Sequence, residues 1–293
     1  MANRKLVLFA DATCDIPIEY IKKNDIGIIG LRYTINDVDG WCVGNTQKEI
    51  DDYYWLMRKG AYGKTSFVTY NDAQEALEPY FRKKDCDIIC LTLSSGLAQG
   101  WHNINMAGTD LATKYGCKFY APDTRCVSGM SYIIMKQLVE YRKQGKDFDY
   151  IKQHTPDIFK DLHAYFTVES LTYLHKGGRL SAAGKIIGGL LNVKPIITVD
   201  KEGKLVNVAK VTGRAKSMQW IADKTAGADI TQEMIVVHAN SPDDAEILKK
   251  KVLEINPTAH IEIGNIGFII GTHTGPGTVG MCFKKTRKSV DKI

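Results

Sequence analysis

No stretch of this sequence comes near the ~18 consecutive apolar residues needed to span a bilayer. Its opening offers only Leu6 to Ala10 between two basic residues and Asp11, too short a run for a secretory leader. The seven cysteines are odd in number and scattered, and no paired cluster has the spacing of a zinc site. Reduced thiols in a cytoplasmic setting follow as the expectation, with at most transient contact with a membrane surface and no metal. Charge of one sign is scarce as well: 39 basic against 33 acidic residues leave a surplus of +6. Without a recognised motif beside it, that surplus does not indicate nucleic-acid binding.

Two familiar motifs are incomplete. Gly63-Lys64-Thr65 resembles the end of a phosphate-binding loop, but Arg58 stands where its first glycine belongs, and the segment follows a helix rather than a strand. Gly275-x-Gly277-x-x-Gly280 matches the dinucleotide fingerprint in letters, yet it is expected to link two strands, not a strand and a helix. No G-x-S-x-G elbow and no H-E-x-x-H occurs.

What is present is the ordinary composition of a folded protein: 44% hydrophobic and 25% charged over 293 residues, long enough for two domains. Through residue 160, short apolar runs alternate with helical patterns. Leu6–Ala10, Ile26–Ile35, Asp87–Ser94 and Lys118–Pro122 read as strands. Thr46-x-x-Glu49 is a capping box, followed by apolar Ile50, Tyr53, Tyr54 and Met57 on one helical face. Further helices are expected over 71–84, with Pro79 inside, over 97–115, and beyond Met130. This rhythm predicts an α/β domain with a doubly wound parallel sheet over residues 1–160. Over 161–293 the pattern changes. His163–Glu169 reads as a strand and Ser181–Leu191 as a helix, while Pro195–Val199 and Leu205–Val211 flank a turn-rich link and predict a hairpin. A helix starts at Ser241-Pro242, and Phe268–Thr272 and Val279–Lys284 read as closing strands. A mixed sheet with helices on one face is expected there.

Three segments share a chemistry. Thr65-Ser66 and Ser94-Ser95-Gly96 put hydroxyls in turns, and His273 offers a ring N–H from a small-residue turn. Ser94-Ser95-Gly96 is expected to end a strand and open a helix, where an anion meets free backbone N–H groups; helix capping by Ser95 alone is the competing reading. A second possibility is a stand-alone hydrolase or acyltransferase with Ser95 as nucleophile and His273 as base, although no orienting carboxylate can be identified.

Six motifs, in order, carry a wider resemblance: Asp11-Ala12-Thr13-Cys14-Asp15-Ile16-Pro17, Lys64-Thr65-Ser66, Ser94-Ser95-Gly96-Leu97, Lys176-Gly177-Gly178-Arg179-Leu180-Ser181, Leu191-Asn192-Val193-Lys194-Pro195-Ile196 and Gly271-Thr272-His273-Thr274-Gly275-Pro276-Gly277. Together they resemble the DegV family over essentially the whole chain. The resemblance implies two domains with a long-chain fatty acid bound between or beneath them, no cofactor and no catalysis by this chain alone. It assigns the carboxylate to Thr65, Ser95 and His273, with Ser94 and Ser66 as alternatives, so that replacing Ser95 or His273 by alanine should weaken binding. It further implies a separate fatty acid kinase subunit that forms an acyl phosphate for phospholipid metabolism, with Arg179 facing that partner; an ordinary salt bridge is the other reading of Arg179. Candidate tail-lining residues are Ile29, Ile186, Ile187, Leu190 and Phe268. The chain departs from the family pattern at Phe67-Val68, where Gln-Pro is usual, and at Ala98-Gln99-Gly100, where Ser-Gly-Thr is usual.

Overall fold

The computed structural model describes residues 4–179 and 192–286. The first strand, β1 (Lys5–Asp11), is buried from Leu6 to Asp11. Helix α1 (Ile18–Lys23) returns the chain to β2 (Ile26–Ile29), parallel to β1. The extended run expected through Ile35 is then divided at Gly30, and β3 (Leu31–Ile35) joins a separate small sheet. That sheet also takes β4 (Val38–Cys42) and, after helix α2 (Gln47–Arg58), β5 (Gly63–Thr65), both antiparallel to β3. Next come α3 (Tyr70–Phe81), β6 (Cys86–Leu91), α4 (Gly100–Tyr115), β7 (Phe119–Tyr120), α5 (Gly129–Lys143) and α6 (Phe148–Phe159). Strands β2, β1, β6 and β7 lie in that order and are all parallel.

The remaining described elements are β8 (Leu162–Thr167), α7 (Thr172–Lys176), β9 (Val193–Val199), β10 (Leu205–Thr212), α8 (Arg214–Asp223), β11 (Met234–His238), α9 (Pro242–Ile255), β12 (Ile261–Asn265), α10 (Phe268–Thr274) and β13 (Val279–Lys284). Their sheet runs β10-β9-β8-β13-β11-β12, antiparallel except for the parallel β11–β12 pair. The expected β9–β10 hairpin is present. The helix expected over 181–191 lies outside the described residues.

Local chemistry explains several elements. In the α2 capping box the Glu49 N–H donates to Thr46 Oγ1 at 3.3 Å, and the Thr46 N–H donates to Glu49 Oε2 at 2.8 Å. The face of Ile50, Tyr53, Tyr54 and Met57 is buried. In β11 the period of two divides the core. Met234 and Val236 join Met218, Ile221, Leu248 and Val252 on α8 and α9, while Ile235 and Val237 face the core of the first half. A Cβ on Gly129, at the start of α5, would lie 2.7 Å from Val237 Cγ1, so glycine lets that helix press onto the second sheet. The mixed sheet is thus covered by its own α8 and α9 on one face and by α5 of the first half on the other.

Phe268–Thr272 was expected as a strand and is helix α10. A short apolar run cannot distinguish the two by periodicity. Tertiary contacts decide: Gly267 N–H donates to Asp15 Oδ1 at 2.9 Å, Tyr54 OH donates to Ile266 O at 2.8 Å, and Phe268 stacks on Tyr53 with centroids 4.7 Å apart. Consequently Gly275-x-Gly277-x-x-Gly280 follows a helix and runs into β13, in which Gly280 is paired with Phe166; it does not join two strands. Helix α4 begins at Gly100, not Leu97, so Ser94-Ser95-Gly96 forms a turn of its own short of the helix start.

Candidate functional site: a cavity between the two sheets

The strand order reverses between β1 and β6, and ligands of open parallel sheets bind beyond the carboxyl ends of strands at such a point. Asp11 ends β1 there and is buried. It accepts from Thr13 N–H at 2.9 Å and, across the switch, from Leu93 N–H at 3.1 Å. Burial raises its pKa and these donors oppose the rise.

Above this point a cavity that opens to solvent lies between the parallel sheet and the mixed sheet. The walls are mostly aliphatic: Leu31, Val68, Leu97, Leu174, Val237 and Ile269 are among them. Asp11, Thr13 and Ser128 add a polar strip among buried residues. Thr65, Ser66, Phe67, Arg179 and His273 also line it, and they are half-buried or exposed, so they form its mouth.

Thr65 is the last residue of β5 and is paired with Tyr33. His273 occupies the last turn of α10. The two meet although 208 residues apart, Thr65 Oγ1 and His273 Nε2 being 2.7 Å from each other. Among the described residues His273 Nδ1 is buried without a hydrogen-bond partner. Gly177 backs it so closely that a Cβ there would come within 2.3 Å of Nδ1. An orphaned buried N–H is costlier than an orphaned acceptor, which favours the tautomer with the proton on Nε2, donating to Thr65. The threonine's own proton is then free for a ligand. Burial, and secondly the Arg179 charge, lower the His273 pKa to about 4, so the ring is neutral near pH 7.

Arg179 is half-buried and donates from Nη1 to Gly177 O at 2.5 Å. Burial lowers its pKa. Among the described residues no carboxylate lies within salt-bridge distance of it. A guanidinium in this position attracts an anion.

The serines stand apart from this pair. Ser95 is exposed; its Oγ donates to Asp123 Oδ2 at 2.6 Å and its N–H to Oδ1 at 3.2 Å. Ser94 is buried, and its Oγ donates to Gly203 O at 2.8 Å in the β9–β10 link. Neither is among the residues that line the cavity. Among the described residues neither serine hydroxyl is hydrogen-bonded to Thr65 or His273; Ser95 is paired with Asp123 and Ser94 with Gly203 instead. Ser66 does line the mouth, with its hydroxyl donated to Arg32 O at 3.2 Å.

Of the tail candidates, Ile29 is packed in the first core and Phe268 against Tyr53, and neither is in the cavity wall. Ile186, Ile187 and Leu190 lie outside the described residues. Residues not singled out for the site, notably Asp11, Thr13 and Ser128, reach it through the switch point. The Asp11-to-Pro17 motif was the available signal for the first two. Phe67 and Ala98, at two of the departures from the family pattern, both line the cavity. Among the described residues no group of three His, Cys, Asp or Glu side chains could hold a metal, and all seven cysteines are free. No described helix is long and apolar enough to cross a membrane.

The sequence profile described as an uncharacterised protein of the DegV family matches residues 5–286. A DegV domain-containing protein of Clostridium perfringens is 32% identical over 286 residues, covering 96% of this chain and 97% of that protein. Among solved structures, a DegV lipid-binding protein from Thermotoga maritima is similar with a TM-score of 0.82 at 25% identity, over 96% of this chain and 98% of the other. DegV of Bacillus subtilis, described as a fatty-acid-binding protein, has the same fold with a TM-score of 0.82 at 24% identity, over 97% of this chain and 100% of the other. With the profile matched over nearly its entire length and the two-sheet architecture shared with these structures, the chain belongs to the DegV family.

Proposed function

We propose that this protein binds a long-chain fatty acid in the cavity between its sheets, with the carboxylate at the mouth on Thr65, His273 and Arg179. The observation that carries this reading is the combination of a half-buried guanidinium, without a carboxylate partner among the described residues, and the Thr65–His273 pair at the mouth of a mostly apolar cavity. The description of one related structure as lipid-binding and of another as fatty-acid-binding points the same way. Each buried methylene contributes about 0.8 kcal/mol, so about fourteen of them contribute on the order of 11 kcal/mol before the cost of ordering the ligand. The tail supplies affinity. The head supplies orientation, because a carboxylate buried without donors would protonate or leave.

The division at residue 160 fits this reading: the parallel-sheet strands end at Tyr120 and the mixed sheet begins at Leu162. A carboxylate held at the mouth is open to a second protein. We therefore assign the chain the role of acyl-binding subunit to a separate fatty acid kinase, in which a carboxylate oxygen attacks the γ-phosphoryl group of ATP and ADP leaves, giving an acyl phosphate. Arg179 would face the transferring phosphoryl group. Free thiols suit a reducing, cytoplasmic compartment.

Native mass spectrometry of the freshly purified protein, followed by denaturing extraction, tests the binding step. A stoichiometric free fatty acid is the expected result. An empty protein that also refuses added fatty acids would overturn it.

A further inference from the structure

Tyr62 is 42% exposed, stands outside every motif singled out in the sequence, and precedes Thr65 by three residues. It is nonetheless engaged on its ring. Lys176 Nζ sits 3.3 Å from the ring centroid, and the Tyr173 ring lies 5.3 Å away, tilted by 37°. Both partners belong to α7, a five-residue helix too short to hold itself in water. Tyr173 in turn donates its hydroxyl to Met57 O at 3.1 Å and packs on the Gly275 backbone, where a Cβ would come within 2.3 Å of the ring. Immediately after α7, Gly177 backs the His273 imidazole and Arg179 reaches the cavity mouth; the Arg179 N–H is tied back to Leu174 O at 3.0 Å.

Two short segments therefore face each other across the mouth. Residues 62–65 carry an aromatic ring and the Thr65 hydroxyl. Residues 173–179 carry the ring's partners and the guanidinium. We propose that Tyr62 is a positioning residue: by holding Tyr173 and Lys176 it latches α7 to the first half of the chain and so places Arg179 beside the Thr65–His273 pair. This gives Lys176 a role in ligand binding without touching the ligand. The inference rests on the fatty-acid reading above and deepens it.

The test is a double-mutant cycle on the full chain, read with palmitic acid and its methyl ester as probes. Tyr62→Ala should weaken binding of the acid about three- to tenfold, the scale of a lost cation–π and ring contact, and leave the ester unchanged. Tyr62→Phe should behave as the native protein, since the ring is what is used. Lys176→Ala, which leaves the ring in place, should show a smaller loss of the same kind. In an Arg179→Met background Tyr62→Ala should have no further effect, because the group it positions is gone. Equal losses for acid and ester, or losses that add in the double variant, would overturn the latch while leaving the fatty-acid reading intact. An Arg179→Met variant with an unchanged acid-to-ester ratio would overturn both the guanidinium's role and the latch. Wild-type protein that binds neither probe would overturn the fatty-acid reading itself.

Discussion

Thr65→Val is the sharpest perturbation of the proposed carboxylate site. Valine keeps the branched shape that suits β5 and removes only the hydroxyl that lies 2.7 Å from His273 Nε2. In the native arrangement the ring N–H donates to Oγ1, and the threonine proton is left for the carboxylate. The variant loses a hydrogen bond to a charged group, worth about 1.5–3 kcal/mol, or roughly a ten- to hundredfold weaker dissociation constant. It also leaves the half-buried imidazole N–H without its acceptor, so the unliganded protein should melt at lower temperature. A methyl ester still packs its tail against the same aliphatic wall but makes no charge-assisted contact, so its affinity should barely move. The assay is equilibrium titration of a C16 acid and its methyl ester against both proteins, at a pH where the acid is ionised. Unchanged affinity for the acid would refute the reasoning. Equal weakening of acid and ester would refute it too, because the loss would then be one of shape.

Two further outcomes follow from the structure. Ser95→Ala should change fatty-acid affinity by less than about threefold, since its hydroxyl is held by Asp123 outside the cavity; a loss as large as that of Thr65→Val, measured in the same titration, would return Ser95 to the site. Asp15→Asn should alter the pH dependence of stability. Burial raises the Asp15 carboxyl from 3.8 to about 8, with its hydrogen bonds to Ser128 and Gly267 opposing the rise. Between those values the folded chain holds a proton that the unfolded chain releases, so this group's contribution to stability is lost as pH rises from about 4 to about 8. Asparagine can still accept from the Gly267 N–H and cannot ionise. The melting temperature of the variant relative to the native protein should climb across that window, and a difference that stays flat would show that Asp15 does not titrate there.

The elements that were legible in advance were those decided by near neighbours. The Thr46–Glu49 box, the apolar face of α2 and the hairpin of β9 and β10 depend on residues a few positions apart, and physical chemistry at that range can be read along the chain. Ile26–Ile35 was read as one extended segment because nothing local says that it changes sheets at Gly30. The Phe268–Thr272 run was ambiguous for the same kind of reason: its helical state depends on Asp15, Tyr53 and Tyr54, more than two hundred residues away.

For the site, the residue types were legible, and the family resemblance rested on those same motifs; the turns expected to carry Thr65 and His273 are instead the end of β5 and the last turn of α10. By itself the sequence determined an alternating strand–helix half followed by a hairpin-rich half, an amphipathic α2 with its cap, and a supply of hydroxyls, an imidazole and an arginine near small residues. The tertiary structure alone decided which of them converge. It pairs Ser95 with Asp123 and Ser94 with Gly203, and it brings Thr65 from β5 to His273 of α10 across 208 residues of sequence. The exposed Tyr62 shows the same dependence, because its significance lies in partners that packing brings to it across the mouth.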